Sequence, residues 1–186
     1  HDGALQEARE AVDRVFTAYE TLLSLLDEPV EVDAEQLTPA QQAQLKALET
    51  IREDFEIALD DDFNTPRAIG QLFELVTRIN TIAIKKKLKQ QPGQAMLLSV
   101  AQGIFTTFSE VLGFPVNDPA TYRARCAEIA MKQHDLTEEA IQEKIAARNA
   151  AREAKDWAQA DAIRDELAAC GILLKDTPEG TSWYAK

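Results

Sequence analysis

From Leu5 to Leu112 apolar side chains return every three or four residues, and outside the short acidic segment between Asp27 and Pro39 they do not alternate with a period of two. That spacing is the signature of amphipathic helices, each burying one stripe. Ala8, Val12, Val15, Phe16, Tyr19, Leu22, Leu23 and Leu26 mark the first helix. The stretch from Asp27 to Pro39 is acidic, contains two prolines and reads as a loop, and Thr38-Pro39 then supplies an N-cap and a proline suited to the first helical position. The second helix carries Leu45, Leu48, Ile51, Phe55 and Leu59 and runs into Asp60-Asp61-Asp62. Phe63-Asn64-Thr65-Pro66 repeats the cap-and-proline signal. Ile69, Leu72, Phe73, Val76, Ile79 and Ala83 follow as a third helix, which ends near Lys85-Lys86-Lys87-Leu88-Lys89, where cations suit a helix C-terminus. Gln91-Pro92-Gly93 is expected to turn. Leu97, Leu98, Ala101, Ile104, Phe105, Phe108, Val111 and Leu112 form a fourth helix, closed by Gly113 and Pro115. Four helices on short loops predict an antiparallel bundle over residues 1–115.

Residues 116–136 carry weaker caps and are expected to link this bundle to a second module, although Tyr122 to Met131 has the makings of a short helix. In the module, residues 137–186, Ile141, Ile145 and Ala146 share a helix face that ends near Arg148 and Arg152. Asp156 and Gln159 have capping-box spacing, and the helix they open, through Ala160, Ile163 and Leu167, stops at Gly171. The period then shortens: Ile172-Leu173-Leu174-Lys175-Asp176 and Thr181-Ser182-Trp183-Tyr184 flank Thr177-Pro178-Glu179-Gly180, which predicts a β-hairpin. The expected fold is mainly α, an antiparallel helical bundle followed by a small α+β module.

Composition narrows the function. The chain of 186 residues is 45% hydrophobic and 28% charged, with no apolar run approaching the span of a bilayer, so no membrane partner is expected. Its net charge of −12 argues at first against nucleic acid, since phosphate binding draws on clustered Lys and Arg. The charge is uneven, however. Residues 1–62 hold 4 basic and 17 acidic side chains, net −13, and residues 63–186 hold 16 and 15, net +1. Cys126 and Cys170 offer neither a disulfide framework nor zinc spacing, which fits a reducing, cytoplasmic setting. The start at His1-Asp2-Gly3 carries no signal peptide pattern, and the chain reads as a piece of a longer protein.

Few groups could do chemistry alone. Phosphate-cradling glycine loops, nucleophile elbows and His-Glu-x-x-His pairs are absent from the sequence, and His134 is the single internal histidine. Asp60-Asp61-Asp62 reads as a solvated, capping acidic run, because consecutive helical carboxylates point apart and no calcium loop surrounds them. The lysine run reads as a hydrated helix end. The last forty or so residues differ: Arg148, Arg152 and Lys155 approach one helix end, Trp157 follows a turn, Asp161 and Asp165 lie one helical turn apart, and Asp176 closes a returning strand. A ring that stacks, a forked cation and carboxylates that accept from base donors are what reading unpaired bases requires. Residue chemistry alone leaves a plainer reading in front, with Trp157 filling the core and Asp161 and Asp165 pairing with Arg164 on the surface.

Two motifs shift that balance. Asp60-Asp61-Asp62-Phe63-Asn64-Thr65-Pro66 and the helix behind it resemble the DALR tRNA-binding domain of bacterial cysteinyl-tRNA synthetases. Arg148-Asn149-Ala150-Ala151-Arg152-Glu153-Ala154-Lys155-Asp156-Trp157-Ala158-Gln159-Ala160-Asp161, the Arg164-Asp165 pair, Gly171-Ile172 and Asp176-Thr177-Pro178-Glu179-Gly180-Thr181-Ser182-Trp183 resemble that family's C-terminal anticodon-binding module. The resemblance covers nearly the whole chain, weakly over residues 1–50 and 114–136.

It implies that Arg152, Trp157, Asp161 and Asp176 read the cysteine anticodon, GCA, with Arg148 and Lys155 as further RNA contacts, while the bundle docks on the inner corner of the tRNA. It also implies a monomer whose partners are the tRNA for cysteine and an N-terminal catalytic domain. That domain's zinc site and ATP-binding motifs have no counterpart in this sequence, so no catalytic residue, metal or cofactor is expected here. By itself the chain, made as a portion or cut by proteolysis, is expected not to aminoacylate. A free-standing helical adaptor without RNA binding is the alternative, and a small all-α enzyme is disfavoured because its arginines would have to be buried together.

Overall fold

The computed structural model describes residues 2–26, 37–83, 92–114, 119–177 and 180–185. It divides into two compact units, residues 1–119 and 120–186.

In the first unit the helices are α1 (Asp2–Leu25), α2 (Pro39–Asp60), α3 (Thr65–Ala83) and α4 (Pro92–Leu112). Their apolar stripes meet in a core that buries Phe16, Leu22, Leu48, Phe55, Leu72, Ile79, Phe105 and Phe108. Phe55 of α2 stacks on Phe108 of α4 with ring centroids 3.7 Å apart, and Tyr19 of α1 stacks on Phe105 at 4.9 Å. The predicted cap at Thr38 is a full capping box: Thr38 Oγ1 accepts from the Gln41 backbone N–H, and Gln41 Oε1 accepts from that of Thr38.

The acidic triplet ends α2 in a tight corner. Asp62 and Phe63 both sit at φ 54°, in the left-handed region, and Asn64 restarts the chain as its side chain accepts from the Arg67 N–H at 3.2 Å. Pro92 and Gly93, expected to turn, instead belong to α4, because proline is well suited to a helix start, where its missing N–H costs nothing. Gly113 closes α4 at φ 73°, with the Phe114 N–H donating to Ser109 O. The basic run Lys85 to Lys89 lies outside the described residues.

One expectation from composition needs correcting. Over Gly93–Leu112, α4 is long and apolar enough by length and composition to cross a membrane. Gln, Ser and Thr interrupt its apolar positions, with Glu110 as the single charge, so no unbroken run stands out in the sequence. Its apolar side chains Leu97, Leu98, Ala101, Ile104, Phe105 and Phe108 are buried in the bundle.

The second unit contains α5 (Pro119–His134), α6 (Glu138–Glu153), α7 (Trp157–Ala169) and a hairpin of β1 (Ile172–Thr177) and β2 (Gly180–Ala185). Most of the segment expected as a linker is therefore helix. Cys126 and Ala130 of α5 are buried with Ile141, Ile145, Leu167, Ile172 and Ala185, and Arg123 lies over the Tyr184 ring at 5.0 Å. The helix is hard to see in full because its most buried residues, Cys126 and Ala130, are small and are set among Arg123, Arg125 and Lys132. Burying Ile141, Leu167 and Ile172, each almost fully, supplies most of the drive, at about 2 kcal/mol per side chain.

Strand pairing is antiparallel and places Ile172 opposite Ala185, Leu174 opposite Trp183 and Asp176 opposite Thr181. It also joins Thr177 to Gly180, two residues expected within the turn.

Candidate nucleic-acid interface

Two periodicities change from apolar to ionic at the same end of the second unit. On α6 the stripe Ile141, Ile145 continues at helical spacing into Arg148 and Arg152. On β1 the alternation that buries Ile172 and packs Leu174 on the core continues to Asp176. The helix thus delivers two guanidinium groups to the place where the strand delivers a carboxylate.

They pair there. Arg148 Nη1 and Nη2 donate to Asp176 Oδ1 and Oδ2, both at 3.0 Å, and Arg152 Nη1 donates to Oδ2 at 2.9 Å. Thr181, opposite on β2, donates from Oγ1 to Asp176 Oδ1 at 2.9 Å. These four bonds occupy the roughly four lone-pair positions of a carboxylate. Arg148 is only 8% exposed, so its charge is tolerated because both its ends are matched by Asp176. The Arg148 hydrogen bond, followed by that from Thr181, holds the Asp176 carboxyl well below the usual carboxylate range, and the Asp176 bond raises Arg148 in turn.

The turn from α6 to α7 sets the rest. Lys155 sits in the left-handed region at φ 60°, the Asp156 N–H donates to Ala151 O and the Lys155 N–H to Arg152 O. This double bond pattern ends α6 in a Schellman motif without glycine. Asp156 then caps α7, accepting from the Gln159 N–H at 3.0 Å. Only this half of the expected capping box forms, since the Asp156 N–H is already taken by Ala151.

The corner puts Trp157 at the start of α7, 59% exposed, so the core-filling reading of this residue is wrong. Together with Asn149, Arg152, Glu153, Asp176, Thr177, Gly180 and Thr181 it lines an open cleft of about 500 Å³. Arg152, Trp157 and Asp176 therefore come together. Asp161 stands one turn along α7 from Trp157, paired with Arg164 at 3.2 Å, and Arg164 also reaches Asp165. Lys155 is exposed at the corner and does not line the cleft. Arg148 is buried behind it, so it supports the site rather than facing a ligand. Five lining residues, Asn149, Glu153, Thr177, Gly180 and Thr181, lie in the recognised motifs but are not among the expected contacts. Thr181 could have been found from strand register, as the residue facing Asp176, and Asn149 from its place one helical turn before Arg152.

Comparison with known proteins agrees with this division. Residues 54–117 match the family model described as the DALR domain, and residues 134–183 match that of the cysteinyl-tRNA ligase anticodon binding domain. Curated relatives align along the chain: the cysteine-tRNA ligase of Desulforamulus reducens is 36% identical over 98% of this chain and 37% of its own length. The chain belongs to the cysteinyl-tRNA ligase family. Among further members of that family, the cysteine-tRNA ligase of Syntrophotalea carbinolica is 34% identical, and that of Geobacter sulfurreducens 32% identical, each over 100% of this chain and 37% of its own length. This chain thus spans about 37% of the length of the ligases it matches, and the cleft lies within its anticodon-binding match.

Proposed function

We propose that this chain is the tRNA-recognising region of a cysteine-tRNA ligase and that its second unit reads the anticodon GCA. The observation that carries the reading is the cleft itself, where an exposed indole stands beside an arginine anchored by a carboxylate, inside the part of the chain that matches anticodon-binding domains. Trp157 stacks on a splayed base, and Arg152 bonds guanine O6/N7 or the backbone with the donors Asp176 leaves free. Asp161 accepts from the cytosine amino group, for which it exchanges Arg164. Asp176, with its lone pairs filled, serves by fixing Arg152 and not by touching a base. Lys155 adds attraction for phosphate.

In the whole ligase the reaction is attachment of cysteine to its tRNA at the expense of ATP. The ATP and zinc sites belong to a catalytic domain that is a partner of this region, the bundle docks along the inner corner of the tRNA, and the enzyme works as a cytoplasmic monomer.

An anticodon stem-loop carrying GCA, titrated against one with the middle base changed, tests the reading. Preference for GCA that weakens with rising salt supports it. Equal and negligible binding of both loops favours the adaptor alternative.

A further inference from the structure

Thr181 Oγ1 stands 2.9 Å from Asp176 Oδ1 and 3.2 Å from Asn149 Oδ1. A hydroxyl has one proton to give. The ionised carboxylate of Asp176 is the stronger acceptor and takes it, which would leave two oxygen lone pairs facing each other between Thr181 and Asn149. Half a turn of the Asn149 amide removes the conflict, because its oxygen and nitrogen ends have the same shape. Nδ2 then donates to the free lone pair of Thr181. The amide's carbonyl oxygen and its second N–H are left side by side on the cleft, with no other hydrogen-bond partner for this side chain among the described residues.

An acceptor beside a donor, fixed on a helix and lining the same cleft as an exposed indole, fits the edge of a base. Within GCA, Arg152 suits guanine and Asp161 suits cytosine, so adenine is the base without a partner. Asparagine is its complement: the amide oxygen accepts from N6–H while the amide N–H donates to a ring nitrogen. Resting on the anticodon reading above, we propose that Asn149 is a specificity-determining residue of this cleft and reads the adenine of the anticodon. Thr181 sets the amide's orientation and Asp176 sets that of Thr181.

The experiment compares three stem-loops by fluorescence anisotropy: GCA, the same loop with adenine replaced by purine, which lacks the N6 amino group, and the loop with its cytosine changed. They are titrated with the wild-type chain, with Asn149→Ala and with Asn149→Leu, which keeps the side-chain shape and favours the helix. The wild type is expected to prefer adenine over purine on the order of tenfold. Both variants should bind these two loops equally while keeping the penalty for changing cytosine. Variants that retain the adenine preference together with that penalty overturn the role of Asn149 and leave anticodon reading standing. A wild-type chain indifferent to both changes overturns both readings.

Discussion

Arg148 and Asp176 stand 28 residues apart in the chain and meet end to end, both terminal nitrogens of one on both oxygens of the other at 3.0 Å. The pair ties the last turns of α6 to the far end of the hairpin, and Arg152 and Thr181 are positioned by the same carboxylate. Stability of the second unit and geometry of the cleft are thereby linked through one side chain.

Acid should loosen that link. The Asp176 pKa is depressed in the folded state, so its contribution is full above the ordinary aspartate value of about 3.9 and is lost as pH falls below it. Urea unfolding followed by tryptophan fluorescence should show stability dropping between about pH 5 and pH 2. Asp176→Asn should lower stability at neutral pH by about 2 kcal/mol, discounted because Asp176 is 44% exposed, and flatten this part of the acid limb.

Trp157 should be dispensable for folding and important for binding. Because it is mostly exposed, Trp157→Ala should change unfolding free energy by less than about 0.5 kcal/mol. Loss of a stacking platform should weaken stem-loop binding by about 1 to 3 kcal/mol, measured by anisotropy.

Arg152→Lys separates charge from shape. Lysine keeps the cation near Asp176 but has no fork, so affinity for GCA should fall several-fold while the dependence of binding on salt is nearly unchanged. Titrations at several salt concentrations check this.

Lys155 occupies a position that favours glycine. Lys155→Gly should raise the unfolding free energy of the second unit by about 0.5 to 1 kcal/mol, by relieving left-handed backbone strain at the end of α6. Urea denaturation of both proteins measures the difference.

The bundle was legible in the sequence because its stripes are long and made of large side chains, as Phe55 and Phe108 illustrate. Helix α5 was legible only in part, as a short helix over Tyr122 to Met131, since Cys126 and Ala130 are small and the segment's caps are weak. At the site, the residue types were visible but their roles were not. Charge pattern alone could not place Arg148 inside and Trp157 outside, because both lie on helices at spacings that also suit the reverse arrangement. Asn149 and Thr181 carry no charge, and although both lie in stretches that resemble the anticodon-binding module, only the meeting of α6 with the hairpin register gives them a place beside Asp176.

The most direct measurement is a nitrogen–proton NMR titration of the chain with the GCA stem-loop, set beside the loop with its middle base changed. Anticodon reading by the second unit predicts large shifts of the Trp157 indole N–H, the Asn149 amide and the Arg152 guanidinium with GCA, and much smaller ones with the altered loop. Identical shifts with both loops, or shifts confined to residues 1–115, would contradict it.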